Sequence, residues 1–131
     1  MDVCREEGIE GISYNTTEGE YLKLDYLPLL NRIFEENPDA DGVFASSDAI
    51  GAEVIQCITK RGKRVPEDVK VIGFDGTFVS KLTAPALSTI SQPISEMAEI
   101  AVSTLLRFSR KKPTTTNIKV AVELIEREST K

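Results

Sequence analysis

Apolar positions along the chain alternate between short strand-like runs and longer stretches at helical spacing. The short runs are Ile9–Tyr14, Gly42–Ala45, residues 69–74, Ser88–Ser91 and a final one over about 118–126, with Ile118, Val120, Val122, Leu124 and Ile125. Their length and β-branched content suit strands. Between them, Leu22, Tyr26, Leu29, Leu30 and Ile33 recur at 3.6-like spacing from about Glu20 to Glu36. Ile50, Val54 and Ile58 do so in a stretch ending at Arg61, and Ile94, Met97, Ala98, Ala101, Leu105 and Phe108 over 94–109. Pro38 closes the first of these helices, and Pro28 inside it is expected to kink it. Ser46-Ser47-Asp48 supplies N-cap candidates for the second, with Gly62 at its C′ position. Residues 1–8 read as the tail of a further helix ended by Gly8.

Strands that alternate with helices predict an α/β fold with a mainly parallel, doubly wound sheet. Such a unit normally opens with a strand, whereas this chain opens inside a helix. A preceding first strand is therefore expected to be missing, and the chain reads as part of a longer protein.

Composition narrows the function classes. At 131 residues, 40% hydrophobic and 28% charged, the chain suits one globular domain with a real core. The apolar runs fall far short of a bilayer span and the N-terminus has no apolar signal region, so no membrane partner is expected. A net charge of −5 argues against nucleic acid as a direct partner of this segment. The basic clusters Lys60-Arg61-Lys63-Arg64 and Arg110-Lys111-Lys112 each end a predicted helix, where cations complement the macrodipole. Cys4 and Cys57 lie far apart and histidine is absent. Neither a disulfide framework, a Cys/His metal site nor a His-dependent nucleophile is supported. No cofactor is expected, and a reducing, cytoplasmic setting fits.

The run Val65–Asp75 carries the most chemistry. Pro66 and Glu67-Asp68 set a turn; Val69, Val71 and Ile72 form an apolar strand of the kind covered on both faces. Gly73 permits a bend or a close approach, and Asp75 falls at the carboxyl end of the strand, the edge where open α/β sheets bind ligands. Ser47-Asp48 and Gln92 occupy the same edge after two other strands. Carboxylates there accept from sugar-type hydroxyls, and an amide both donates and accepts. Asp48 has a second reading as a helix-start acid, Asp75 as a turn residue before Gly76, and Gln92 as a loop residue. Tyr14, ending an apolar strand, is either a core aromatic or a stacking platform. Residues 71–77 also resemble the DxDGT loop of haloacid-dehalogenase-type phosphatases. Gly73 stands where that chemistry needs its aspartate nucleophile, so an enzyme of this kind is excluded.

Several segments taken together resemble one family. They are Asp41–Asp48 (DGVFASSD), Gly62–Val69 (GKRVPEDV), Gly73-Phe74-Asp75, Pro85–Pro93 (PALSTISQP) and Leu124–Thr130 (LIEREST). In order and spacing they are similar to the lactose-repressor/galactose-repressor (LacI/GalR) family of bacterial regulators over nearly the whole chain. The resemblance implies a periplasmic-binding-protein-like core of two α/β subdomains that clamp a small effector, expected to be a sugar. It further implies a homodimer, and operator DNA bound through a helix-turn-helix absent from this chain.

Position by position, Asp75 matches the family's effector-binding aspartate and Gln92 the crossover residue that contacts effector. Ser47 and Asp48 match its Asn-Asp pair, and Tyr14 falls near its stacking aromatic. Ser47 in place of asparagine and Gly76 in place of a second polar residue depart from the pattern, so effector identity does not transfer. Ala52 and Ile55 are the expected dimer contacts. Residues 1–93 would be the C-terminal subdomain, 94–117 a crossover helix and linker packed on the N-terminal subdomain, and 118–131 a return strand and tail. The alternative reading is a sugar-binding solute receptor of a transporter, which shares the fold.

Overall fold

The computed structural model describes residues 2–15, 25–112, 115 and 117–131. It divides into two compact units, residues 1–40 and 41–131.

In the first unit, α1 spans Asp2–Glu6 and ends where Gly8 takes a φ of 68° and Ile9 N–H bonds Cys4 O. The expected strand Ile9–Tyr14 does not form: these residues pair with no strand, and Ile9 and Ile12 are exposed. An apolar run without a ladder partner leaves its backbone groups to water and gains nothing from extension. Helix α2 spans Leu27–Glu36. Pro28 lies in its first turn and starts the helix instead of kinking it, since the missing N–H costs nothing there. The predicted opening of this helix, including Leu22, lies outside the described residues. Leu29, Leu30 and Phe34 are its buried face.

The second unit holds a four-stranded sheet in sequence order: β1 (Gly42–Phe44), β2 (Lys70–Asp75), β3 (Ser88–Ser91) and β4 (Glu123–Ile125). The first two pairings are parallel and the last is antiparallel, so the sheet is mixed and mainly parallel. Helix α3 (Asp48–Lys60) crosses from β1 to β2 and packs on β2. Its cap is Ser47, whose hydroxyl accepts from Ile50 N–H at 3.2 Å, and Gly62 closes it at a φ of 75°. The buried face of α3 is Asp48, Gly51, Val54, Ile55 and Ile58, with Cys57 beside it. Gly51 is there because a Cβ would stand 2.7 Å from Leu87 Cδ2. Val69, Val71 and Leu87 complete this core with no exposed surface.

Before β2, Arg64 grips Asp68 through two side-chain hydrogen bonds, at 3.0 and 2.8 Å, while its backbone N–H donates to the same carboxylate at 2.7 Å. These bonds hold the Asp68 carboxyl down at about 2 and raise the Arg64 guanidinium. Only three residues of the predicted last strand pair, as β4 opposite Thr89–Ser91. The four-residue β3 offers no longer template. Past β4, the turn Glu128–Thr130 folds over the amino ends of β2 and β3. Ser129 Oγ donates to Val71 O at 2.6 Å and accepts from Ser88 N at 2.8 Å, and Arg127 donates to Leu87 O at 2.6 Å.

Helix α4 (Ile94–Ser109) has the predicted bounds but buries no residue; Leu105 is 66% and Phe108 70% exposed. Among the described residues no helix is long and apolar enough to cross a membrane.

Candidate functional site

Parallel pairing brings the carboxyl ends of β1, β2 and β3 to one edge, and four of the predicted residues, Ser47, Asp48, Asp75 and Gln92, follow or end those strands. Asp75 closes β2 opposite Ser91, and Gln92 follows β3. Gln92 Nε2 donates to Asp75 Oδ1 at 2.7 Å, and Gln92 N–H donates to Asp75 O at 3.3 Å. The two are half-buried neighbours. Among the described residues this is the bond on the Asp75 carboxylate, which leaves Oδ2 able to accept from a hydroxyl. Gln92 keeps its Oε1 as an acceptor.

Asp75 has a φ of 105°, in the region that disfavours side chains, and Gly76 follows at 74°. Gly76 cannot be replaced freely, since a Cβ there would lie 2.5 Å from Ser91 Oγ. The backbone of this turn is thus held in a strained form by its neighbours.

Asp48 is placed differently from expectation. Only 1% exposed, it lies under the turn, with both carboxylate oxygens taken. Oδ2 accepts from Thr77 N–H at 2.5 Å and from Thr77 Oγ1 at 2.9 Å; Oδ1 accepts from Thr89 Oγ1 at 2.5 Å. The carboxylate expected among the ligand contacts is thus buried beneath the edge, with each of its oxygens bonded inside the protein. Gly73 is explained by the same burial, because a Cβ there would meet Asp48 Oδ1 at 2.6 Å. Thr77 and Thr89 were not singled out in the sequence. The available signal was a hydroxyl at Thr89 on the buried side of a strand, alternating with Ile90.

Ser47 is half-buried beside Asp48, and its cap bond uses an acceptor position while leaving the hydroxyl proton free to donate. Tyr14 belongs to the other unit. There its hydroxyl donates to Glu36 at 2.7 Å and accepts from Asn37 at 2.7 Å, and Arg32 stands 5.9 Å from the ring centroid. Ile55 is 3% exposed and part of the core, so it is not available as a dimer contact; positions 51, 55 and 58 share the face that packs on β2. Ala52 is half-exposed on the adjacent flank. Among the described residues no group of three Cys, Asp or Glu side chains could hold a metal.

A mainly parallel sheet with its polar groups at the carboxyl edge is the architecture of ligand-clamping α/β domains. The periplasmic binding protein-like domain matches residues 2–130, and the chain belongs to that family. It corresponds to the effector-binding region of LacI/GalR regulators. The ribose operon repressor of Bacillus subtilis (strain 168) is 39% identical over 82% of this chain and 33% of its own. The structure of the transcriptional regulator CelR–cellobiose complex superposes with a TM-score of 0.82 at 26% identity, over 98% of this chain and 39% of that one. A LacI family regulator from Arthrobacter sp. FB24, in complex with lactose, gives a TM-score of 0.71 at 31% identity, over 82% and 41%. The chain spans about a third of the length of the curated relatives it matches.

Proposed function

We propose that this chain is the effector-sensing part of a DNA-binding transcriptional regulator and that its effector is a sugar. The observation that carries the reading is the Asp75–Gln92 pair, a half-buried carboxylate held by an amide at the ligand edge of the sheet. Such a pair suits vicinal hydroxyls: Asp75 Oδ2 accepts from one, and Gln92 Oε1 from the next. Ser47 donates to a ring or hydroxyl oxygen. The sugar complexes of the two related regulators support this class of ligand.

The reading extends to the whole protein. Effector held between two subdomains shifts the population of their arrangements, and in a dimer that shift changes the spacing of two DNA-binding heads. The bare apolar side of α4 suits a helix packed on the N-terminal subdomain, with residues 94–117 as the crossover. Ala52 on α3 is the dimer contact. An Ala52→Glu protein that still sediments as a dimer would exclude that assignment.

The site is tested on the full-length protein by calorimetry with D-ribose, lactose and cellobiose. Asp75→Ala is expected to weaken the sugar that binds by about 30-fold, as for loss of a charge-assisted hydrogen bond. Unchanged affinity would remove Asp75 from the site.

A further inference from the structure

Asp75 can serve a ligand only while its backbone is kept at a φ of 105°, which an aspartate does not adopt by preference. Something must hold it there. The Gln92 bonds act on Asp75 itself, but the turn that follows is governed by a residue far away in sequence.

Asp48 is that residue. Its carboxylate is buried, and its described partners are hydrogen-bond donors, with no cationic side chain among them. A buried charge of this kind is tolerable only if donors converge on it. Two of the three come from Thr77, one of them its backbone N–H. The third, Thr89 Oγ1, also accepts from Gly76 N–H at 3.3 Å. The amides of both residues after Asp75 are therefore drawn toward Asp48, one directly and one through Thr89. With 76 and 77 turned inward, Asp75 is left at the bend in its positive-φ form. Gly73 leaves room for the carboxylate, and the first turn of α3 adds a favourable dipole.

We propose that Asp48 is the positioning residue of this site: through Thr77 and Thr89 it holds the turn that presents Asp75 to the ligand. The proposal rests on the reading of Asp75 as a ligand contact. Asp48 itself touches no ligand.

The test uses the full-length protein and two variants, Thr89→Val, which keeps the shape and removes the hydroxyl, and Thr89→Ser, which restores it. Amide hydrogen exchange at Gly76 and Thr77, melting temperature, and affinity for whichever of D-ribose, lactose or cellobiose binds are measured together. Thr89→Val is expected to lower protection at Gly76 and to weaken the sugar, each about 10-fold. Thr89→Ser should return both to within about twofold of the parent, while its melting temperature stays reduced by the lost methyl group. A role in stability alone predicts the opposite split: a lower melting temperature in Thr89→Val with sugar affinity unchanged. That result, alongside an Asp75→Ala that does weaken the sugar, would overturn the positioning role and leave the site standing. Unchanged affinity in Asp75→Ala would overturn the site. Exchange at Gly76 and Thr77 would then decide the hold on the turn, and undiminished protection in Thr89→Val would refute it.

Discussion

The two ends of the same sheet are built on opposite terms. At the amino ends of β2 and β3 the turn Glu128–Thr130 is sealed: Ser88 and Ser129 are fully buried and Ser129 bridges two strands. At the carboxyl ends, Asp48 is buried and satisfied, yet the layer above it, Asp75 and Gln92, is half-buried with acceptor atoms to spare. Both ends use short polar side chains between strands. At one end the buried hydroxyls of Ser88 and Ser129 are engaged inside the protein and so contribute stability. The other keeps a carboxylate oxygen unengaged, at the edge where open α/β sheets in general bind ligands. The ends are linked by Ser80, whose hydroxyl donates to Thr77 O at 2.6 Å and accepts from Arg127 at 3.1 Å.

This contrast can be broken at several points. The largest effect is expected at the sealed end. Ser129→Ala leaves Ser88 N–H without its partner and removes a bond to Val71 O, a loss of about 3 kcal/mol. Denaturant titration should show that loss while sugar affinity in the folded protein is retained; an equal fall in affinity would mean that the ends do not act separately. Gly73→Ala lies under both functions. Its methyl group would press on Asp48 and Leu87, costing about 2 kcal/mol of stability, and here affinity should fall as well because the Asp48 carboxylate must shift. Unaltered affinity together with reduced stability would place the turn outside Asp48's control.

The smallest effect concerns the exposed entry to β2. The Asp68 carboxyl is lowered from 3.8 to about 2, by Arg64. A carboxyl lowered on folding contributes stability above its unfolded value and loses it as pH falls through the folded one. Melting temperature should thus drop between about pH 4 and pH 2 more steeply in the parent than in Asp68→Asn, with binding unaffected. Identical profiles would show the pair to be inert, as exposed ion pairs often are.

Much of the fold could be read from the chain. The bounds of β3 and α4 and the C′ glycine of α3 followed from periodicity and turn chemistry, because those signals are local. Pro28 was misjudged since the start of its helix, not its presence, decides what proline does. Ile9–Tyr14 was read as a strand from composition, but strand formation depends on a partner that composition does not contain. Ile55 was expected at the dimer surface because the apolar face was drawn through Ile50, Val54 and Ile58, whereas the buried face keeps Val54 and Ile58 and takes in Gly51 and Ile55.

For the site, the sequence by itself determined that polar residues would stand where parallel strands end, since strand direction and the α/β order follow from pattern alone. Asp75 and Gln92 were legible in that way. Which of the acids stands half-buried at the edge and which lies buried beneath it was decided only by the tertiary structure. Asp48 and Thr89 are 41 residues apart, and Asp48 and Thr77 are 29. Burial and hydrogen bonding across such separations exist only once the sheet has formed, and they enclose one carboxylate among donors while the other keeps an oxygen unengaged at the sheet edge.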